Sequence, residues 1–249
     1  FGQSLLSAFG IACTTDTDQL FNPTSTQINS LATYQLNNAT TSIPSNTYPG
    51  TPSNITYTTG KFGDAAVFNG SSSFIDLNLK NQFKGTVSIW FNGGTPSAQC
   101  FLYASTAASS SNKGIALLPQ TNGTIRILIG QGTSGTFALD ISTTDTFFDS
   151  NWHNAVLTWD LSSSGTNVYL YVDNVVKASG PATTGNWTTG QDSTSDLILG
   201  HFSSAGGSQT FNGKIDQVRI FNSALPQTAV TALYNETTTT AQNAYITEE

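Results

Sequence analysis

"GKFGDAAVFNGSSSFIDLNL", residues 60–79, decides how the chain is read. It holds two short apolar runs around a polar break and almost no charge. Asp64 to Phe68 reads as a strand, Asn69-Gly70 as a tight turn, and the run from Phe74 as a second strand. In that second run Ile75, Leu77 and Leu79 face one way, while Asp76, Asn78 and Lys80 face the other. A period of two with one apolar face predicts a half-buried antiparallel strand.

The same alternation recurs on both sides of this stretch. Val87, Ile89 and Phe91 share a face opposite Trp90 in "GTVSIWFN", and "TIRILIG" groups Ile125, Ile127 and Ile129. "NVYLYVDNVVKA" points Val168, Leu170 and Val172 inward, with Asp173-Asn174 as a hairpin turn. "DLILGHF" and "GKIDQVRIFN" follow, the latter placing Val218 and Ile220, and with them Asp216, on one face. About a dozen short strands with turn signals between them predict an all-β sandwich or jelly roll of two antiparallel sheets. The one convincing internal helix is "SALPQTAVTALYNE", with Pro226 in its first turn and Ala229 and Leu233 at helical spacing, expected to cap one edge. The sequence divides into an N-terminal arm (1–25), a jelly-roll domain (26–236) and a polar, loose tail (237–249).

Composition supports this reading. Of 249 residues 37% are hydrophobic and only 9% charged, with Ser, Thr, Asn and Gly filling the difference. A helical chain would carry more Glu, Lys and Arg on its exposed faces. The net charge is −7, and the eight basic residues are scattered, which argues against nucleic-acid partners. No apolar run is long enough to insert in a membrane as a helix. Cys13 and Cys100 are the two cysteines, read either as free, partly buried thiols or as one bridge.

Four stretches in order, "GKFGDAAVFNGSSSFIDL", "GTVSIWF", "NWHNAVLTWD…NVYLYVDNVVKAS" and "FNGKIDQVRIFNSALPQTAVTALYNE", resemble the laminin G-like, concanavalin A-type lectin/glucanase jelly rolls over residues 31 to 236. The resemblance implies two stacked antiparallel sheets. It also implies glycan or protein ligands, sometimes through a calcium ion at the rim. The Thr/Asn/Ser-rich style, with "ACTTDTDQL", "SLATYQLNN" and "TYTTGKFG", is similar to jelly-roll modules of marine bacteriophage virion proteins. That likeness implies a virion or extracellular setting, with other copies or virion proteins as partners.

Chemistry is sparse. Glycosidases of such folds use a carboxylate pair, but the glutamates here are Glu236, Glu248 and Glu249, all near the C-terminus, and no strand carries two Asp on one face. Hydrolysis is not expected. "GQGTSG" (130–135) leads into a strand rather than a helix, so it reads as a loop and not as a phosphate cradle. His153 reads as a hydrogen-bonded structural residue, and neither it nor His201 has a partner at metal-ligand spacing. Asp192 and Asp196 in "QDSTSD" are the candidate calcium ligands. Trp90, Tyr169, Tyr171 and Trp187 are the candidate ligand-binding aromatics, since flat rings suit sugar faces and protein partners alike. Phe1, Leu5, Leu6 and Phe9 form the apolar stripe of an assembly arm. The expectation is a non-enzymatic virion or surface component. A free lectin domain, with or without calcium, and a self-assembling filament subunit are the alternatives.

Overall fold

The computed structural model describes residues 26–100, 102–105, 114–130, 137–162, 167–182, 191–201, 209–237, 241, 243 and 245–248. Phe1, Leu5, Leu6, Phe9, Cys13, Trp187 and most of "GQGTSG" lie outside them.

The described residues begin with β1 (Thr26–Asn29), β2 (Ala32–Tyr34), β3 (Ser42–Ile43), β4 (Thr51–Ser53), β5 (Thr56–Thr59) and β6 (Asp64–Asn69). Next come β7 (Phe74–Gln82), β8 (Lys84–Gly94), β9 (Tyr103–Ser105), β10 (Ile115–Pro119), β11 (Ile125–Gly130) and β12 (Phe137–Ser142). The chain continues through β13 (Asp149–Asp160), β14 (Val168–Val172), β15 (Val175–Gly180), β16 (Gln191–Leu199) and β17 (Asn212–Phe221). It ends in helix α1 (Gln227–Tyr234) and β18 (Tyr245–Glu248). Seven strands form one sheet in the order β12-β11-β10-β9-β16-β7-β4. Nine form the other, β15-β14-β13-β8-β17-β2-β3 with β6 and β5 continuing from β17, and β1 pairs with β18 in a separate ribbon. The pairing is antiparallel throughout, as the alternation predicts.

The inward residues of both sheets meet in one core. Phe68, Ile75, Leu77, Val87, Ile89, Phe91, Ile125, Ile127, Ile129, Val168, Leu170, Val218 and Ile220 all belong to it. Each fully buried side chain of this size contributes about 1.5–3 kcal/mol through removal of apolar surface from water. Trp159, 1% exposed, fills the middle and donates its indole N–H to the Gln82 carbonyl at 2.9 Å. Asp173 and Asn174 have φ of 50° and 64°, the pair of left-handed residues that a two-residue hairpin turn requires.

Four expectations change. First, Asn69-Gly70 is not a hairpin turn. Strand β6 pairs with β17 and β5 in the nine-stranded sheet, whereas β7 pairs with β16 and β4 in the seven-stranded one. The Asn69–Ser73 segment is therefore an arch that carries the chain across the core. Asn69 Oδ1 builds it by accepting the N–H groups of Ser71, Ser72 and Ser73 at 2.9, 2.9 and 3.2 Å. Second, Asp216 does not share a face with Val218 and Ile220. A bulge between Asp216 and Arg219, with Gln217 at φ 44°, shifts the alternation, so Ile215, Val218 and Ile220 point inward and Asp216 lies opposite Trp90 on the outer face.

Third, α1 covers the outer face of the nine-stranded sheet rather than an edge. Its Ala229, Val230 and Leu233 pack with Val156, Tyr171 and Phe221 of β13, β14 and β17. Fourth, the described part of the C-terminal tail is packed. Ile246 of β18 is 4% exposed and joins the same cluster, and Ala241 is 2% exposed beside Trp90.

Candidate functional site

Three of the four candidate aromatics lie among the described residues, on the outer face of the nine-stranded sheet, and side chains of this chain cover two of them, Trp90 and Tyr171. Trp90 is 3% exposed. The Tyr234 ring stacks on it at 5.9 Å, Phe62 meets it edge-on at 5.7 Å, and Lys61 Nζ sits 4.4 Å from its centroid. Tyr171 is buried in the seat of α1, with Tyr169 stacked on it at 6.3 Å and only partly exposed. Trp90 and Tyr171 therefore offer no open face to a ligand, because α1 and the 60–63 loop use those faces first.

The candidate calcium ligands are divided. The Asp196 carboxylate is 2.5 Å from Lys80 Nζ across the β16–β7 pair, both about one-third exposed. Asp76 lies nearby on the same sheet face, and burial foremost, with the neighbouring Asp196 charge, raises its pKa. Its Oδ1 already accepts the Asn78 N–H at 2.9 Å. Asp192 falls in β16, but its side chain lies outside the described residues. Calcium takes 6–8 oxygens, and no group of three or more acidic, His or Cys side chains able to hold a metal occurs among the described residues. Asp196 is thus engaged by Lys80 in the described structure.

His153 sits between two carboxylates, its Nδ1 2.6 Å from Asp173 and its Nε2 3.1 Å from Asp149. Burial works against its charge, yet the two acidic partners hold its pKa above the ordinary value. Asp173 also accepts the Asn154 N–H at 2.9 Å, so the cluster clamps the β14–β15 turn onto β13. Among the described residues the side-chain partners of this histidine are these two carboxylates.

A concavity lies at one end of the sandwich. The arch after β6, the segment after β8 and the start of β17 converge there on a cleft of about 360 Å³. Its lining includes Asn69, Thr95, Ser97, Cys100, Thr210 and Asn212. Asn69 is spent on the arch, which fixes one wall. Thr95 is anchored by donation to the Phe148 carbonyl at 3.2 Å. Asn212 is exposed in the lining, and its side-chain amide has no hydrogen-bond partner among the described residues. Gly70, at φ 73°, holds the wall close, since a Cβ there would stand 3.0 Å from that of Asn212. Cys100 is a free, buried thiol, and burial pushes it up to about 12, so it is unreactive at neutral pH. The described lining contains amides, hydroxyls and small apolar groups, and neither a carboxylate nor a cationic side chain. Sequence reading missed this site because its parts lie in three separate polar segments, of which the Asn69-Gly70 one reads as a tight turn. The sheet-crossing arch brings them together.

Fold and site together define a β-sandwich of jelly-roll class with a polar cleft at its end. The family model described as the concanavalin A-like lectin/glucanases superfamily, of laminin G type, matches residues 69–231, and the chain belongs to that family. No match is found among curated protein sequences. Among solved structures, domain 4 of an extracellular arabinanase from Geobacillus stearothermophilus, in complex with arabinotriose, is 27% identical. It aligns with 84% of this chain and 100% of that domain at a TM-score of 0.68. A sialidase carbohydrate-binding module of Ruminococcus gnavus bound to α2,3-sialyllactose is 14% identical, over 68% of this chain and 96% of that one, at 0.53. The ligand-binding domain of botulinum neurotoxin serotype D, in complex with N-acetylneuraminic acid, is 13% identical, over 83% of this chain and 50% of that one, at 0.57. At these last two identities the likeness is one of fold.

Proposed function

We propose that this chain is a non-catalytic carbohydrate-binding module that takes a neutral glycan in the end cleft. The observation that carries the reading is the chemistry of the cleft, with amides and hydroxyls in a concavity of about 360 Å³ and no charged side chain among its described lining. Hydroxyl-rich ligands suit such donors and acceptors. Hydrolysis needs a carboxylate pair flanking the ligand, and an acidic sugar favours an Arg fork. The arabinotriose-binding neighbour supports a neutral over an anionic glycan. Titration with arabinotriose and with sialyllactose, each with and without calcium, tests the reading. Saturable binding of the neutral sugar alone, unaffected by a chelator, is the expected result. Preference for sialyllactose, or loss of binding on chelation, overturns the cleft assignment.

The virion or filament role is a second reading. It is favoured by the apolar stripe of Phe1, Leu5, Leu6 and Phe9 ahead of the domain. It predicts that the full chain forms a defined oligomer by light scattering and that a version lacking residues 1–25 is monomeric. Two monomers would remove its support.

A further inference from the structure

We propose that the groove between α1 and β18 is a second binding site, for a single neutral sugar unit. The inference rests on the glycan-binding reading but concerns a different place. The groove has a volume of about 400 Å³ and lies on the outer face of the nine-stranded sheet, away from the end cleft. Most of its polar lining, namely Asn235, Glu236, Asn243 and Tyr245, follows residue 231, where the family match ends.

Glu236 of the lining belongs to a buried ion pair. Arg219 is 0% exposed and the Glu236 side chain 4%, with Nη2 and Oε1 2.6 Å apart. Arg219 Nη1 also donates to the Asn243 carbonyl at 2.7 Å, which fixes the pair against the C-terminal segment. A carboxylate offers about four acceptor sites, and Arg219 is the partner of Glu236 among the described residues. Acceptor capacity is thus left in the wall of a cavity. Because the pair is internally neutral, the site asks for a hydroxyl donor rather than for a cation. The Asn235 side-chain amide, at the C-terminal end of α1, has no hydrogen-bond partner among the described residues. Tyr245, Ala232 and Ile246 add an apolar wall. Hydrogen-bonding groups together with an aromatic ring match a molecule with hydroxyl edges and a C–H face.

Chemical-shift mapping on the full chain with L-arabinose, D-galactose and arabinotriose tests this. Saturable shifts at Thr231, Asn235 and Tyr245, distinct from those at Asn69 and Asn212, are expected. Asn235→Ala and Glu236→Gln should each weaken the groove response roughly tenfold and leave the cleft response unchanged. Asn235 is exposed, so its variant remains informative even where Glu236→Gln loosens the fold. Shifts confined to the cleft overturn the inference and leave the proposed function intact. Shifts confined to the groove uphold the inference and overturn the cleft assignment. No shift with any of the three sugars overturns both.

Discussion

Asp216 shows how one side chain sets the response of the fold to pH. It is 0% exposed, and its Oδ2 accepts the Lys61 and Phe62 N–H groups at 2.8 Å each. Burial, offset in part by those bonds, pushes its carboxyl up to about 6. The folded chain therefore holds this proton more tightly than the unfolded chain. The linked stability is fully present below about pH 4 and is lost as pH rises through 6, amounting to about 2–3 kcal/mol. Glu236, also raised by burial, adds to the slope in the same direction. Urea unfolding at pH 4.5 and 7.5 should show the higher stability at the lower pH. Asp216→Asn keeps an acceptor for both N–H groups and should flatten part of that difference, whereas an unchanged slope would contradict the assignment. Gly200 is a second sensitive position. At φ 81°, a Cβ there would lie 2.2 Å from the Phe68 ring, so Gly200→Ala should cost more than about 2 kcal/mol in the same assay. The bulge that turns Asp216 outward was not legible in the sequence, because nothing in "IDQVRI" marks Gln217 as left-handed.

The strands themselves were legible, since each keeps a period-two pattern that only a one-sided burial explains. Which strands pair was not. The opening stretch looks like a hairpin from its spacing, yet β6 and β7 go to different sheets, a choice made by contacts remote in sequence. The tail misled for the same reason. Its described strand is only four residues long, and its partner β1 stands at the other end of the described chain. The C-terminal segment also satisfies buried groups of β17. The Gln217 side-chain amide donates to the Ala241 carbonyl, and Arg219 donates to that of Asn243. Deleting residues 237–249 should therefore destabilise the chain by about 3–5 kcal/mol, because it leaves buried polar groups unpaired. A truncated chain with an unchanged melting curve would contradict this. Leu233→Ala, which opens a void between α1 and the sheet, should cost about 2–5 kcal/mol by urea unfolding.

At the scale of the whole molecule, the proposed glycan cleft lies where loops meet, while two of the outward aromatics that first suggested a site are covered by the chain itself. Trp90 and Tyr171 were legible as outward-facing, but their covers were not, because α1, Lys61 and Phe62 arrive from other parts of the chain. The scarcity of charge was legible from composition, and it recurs in the described lining of the cleft. The most direct test is calorimetric titration of arabinotriose into the full chain and into Asn212→Ala, with the sugar recovered and sized afterwards. Saturable binding that weakens roughly tenfold in the variant, with the trisaccharide recovered intact, is the predicted result. Shortened sugar products, or equal affinity in both proteins, would contradict a non-catalytic glycan site in the end cleft.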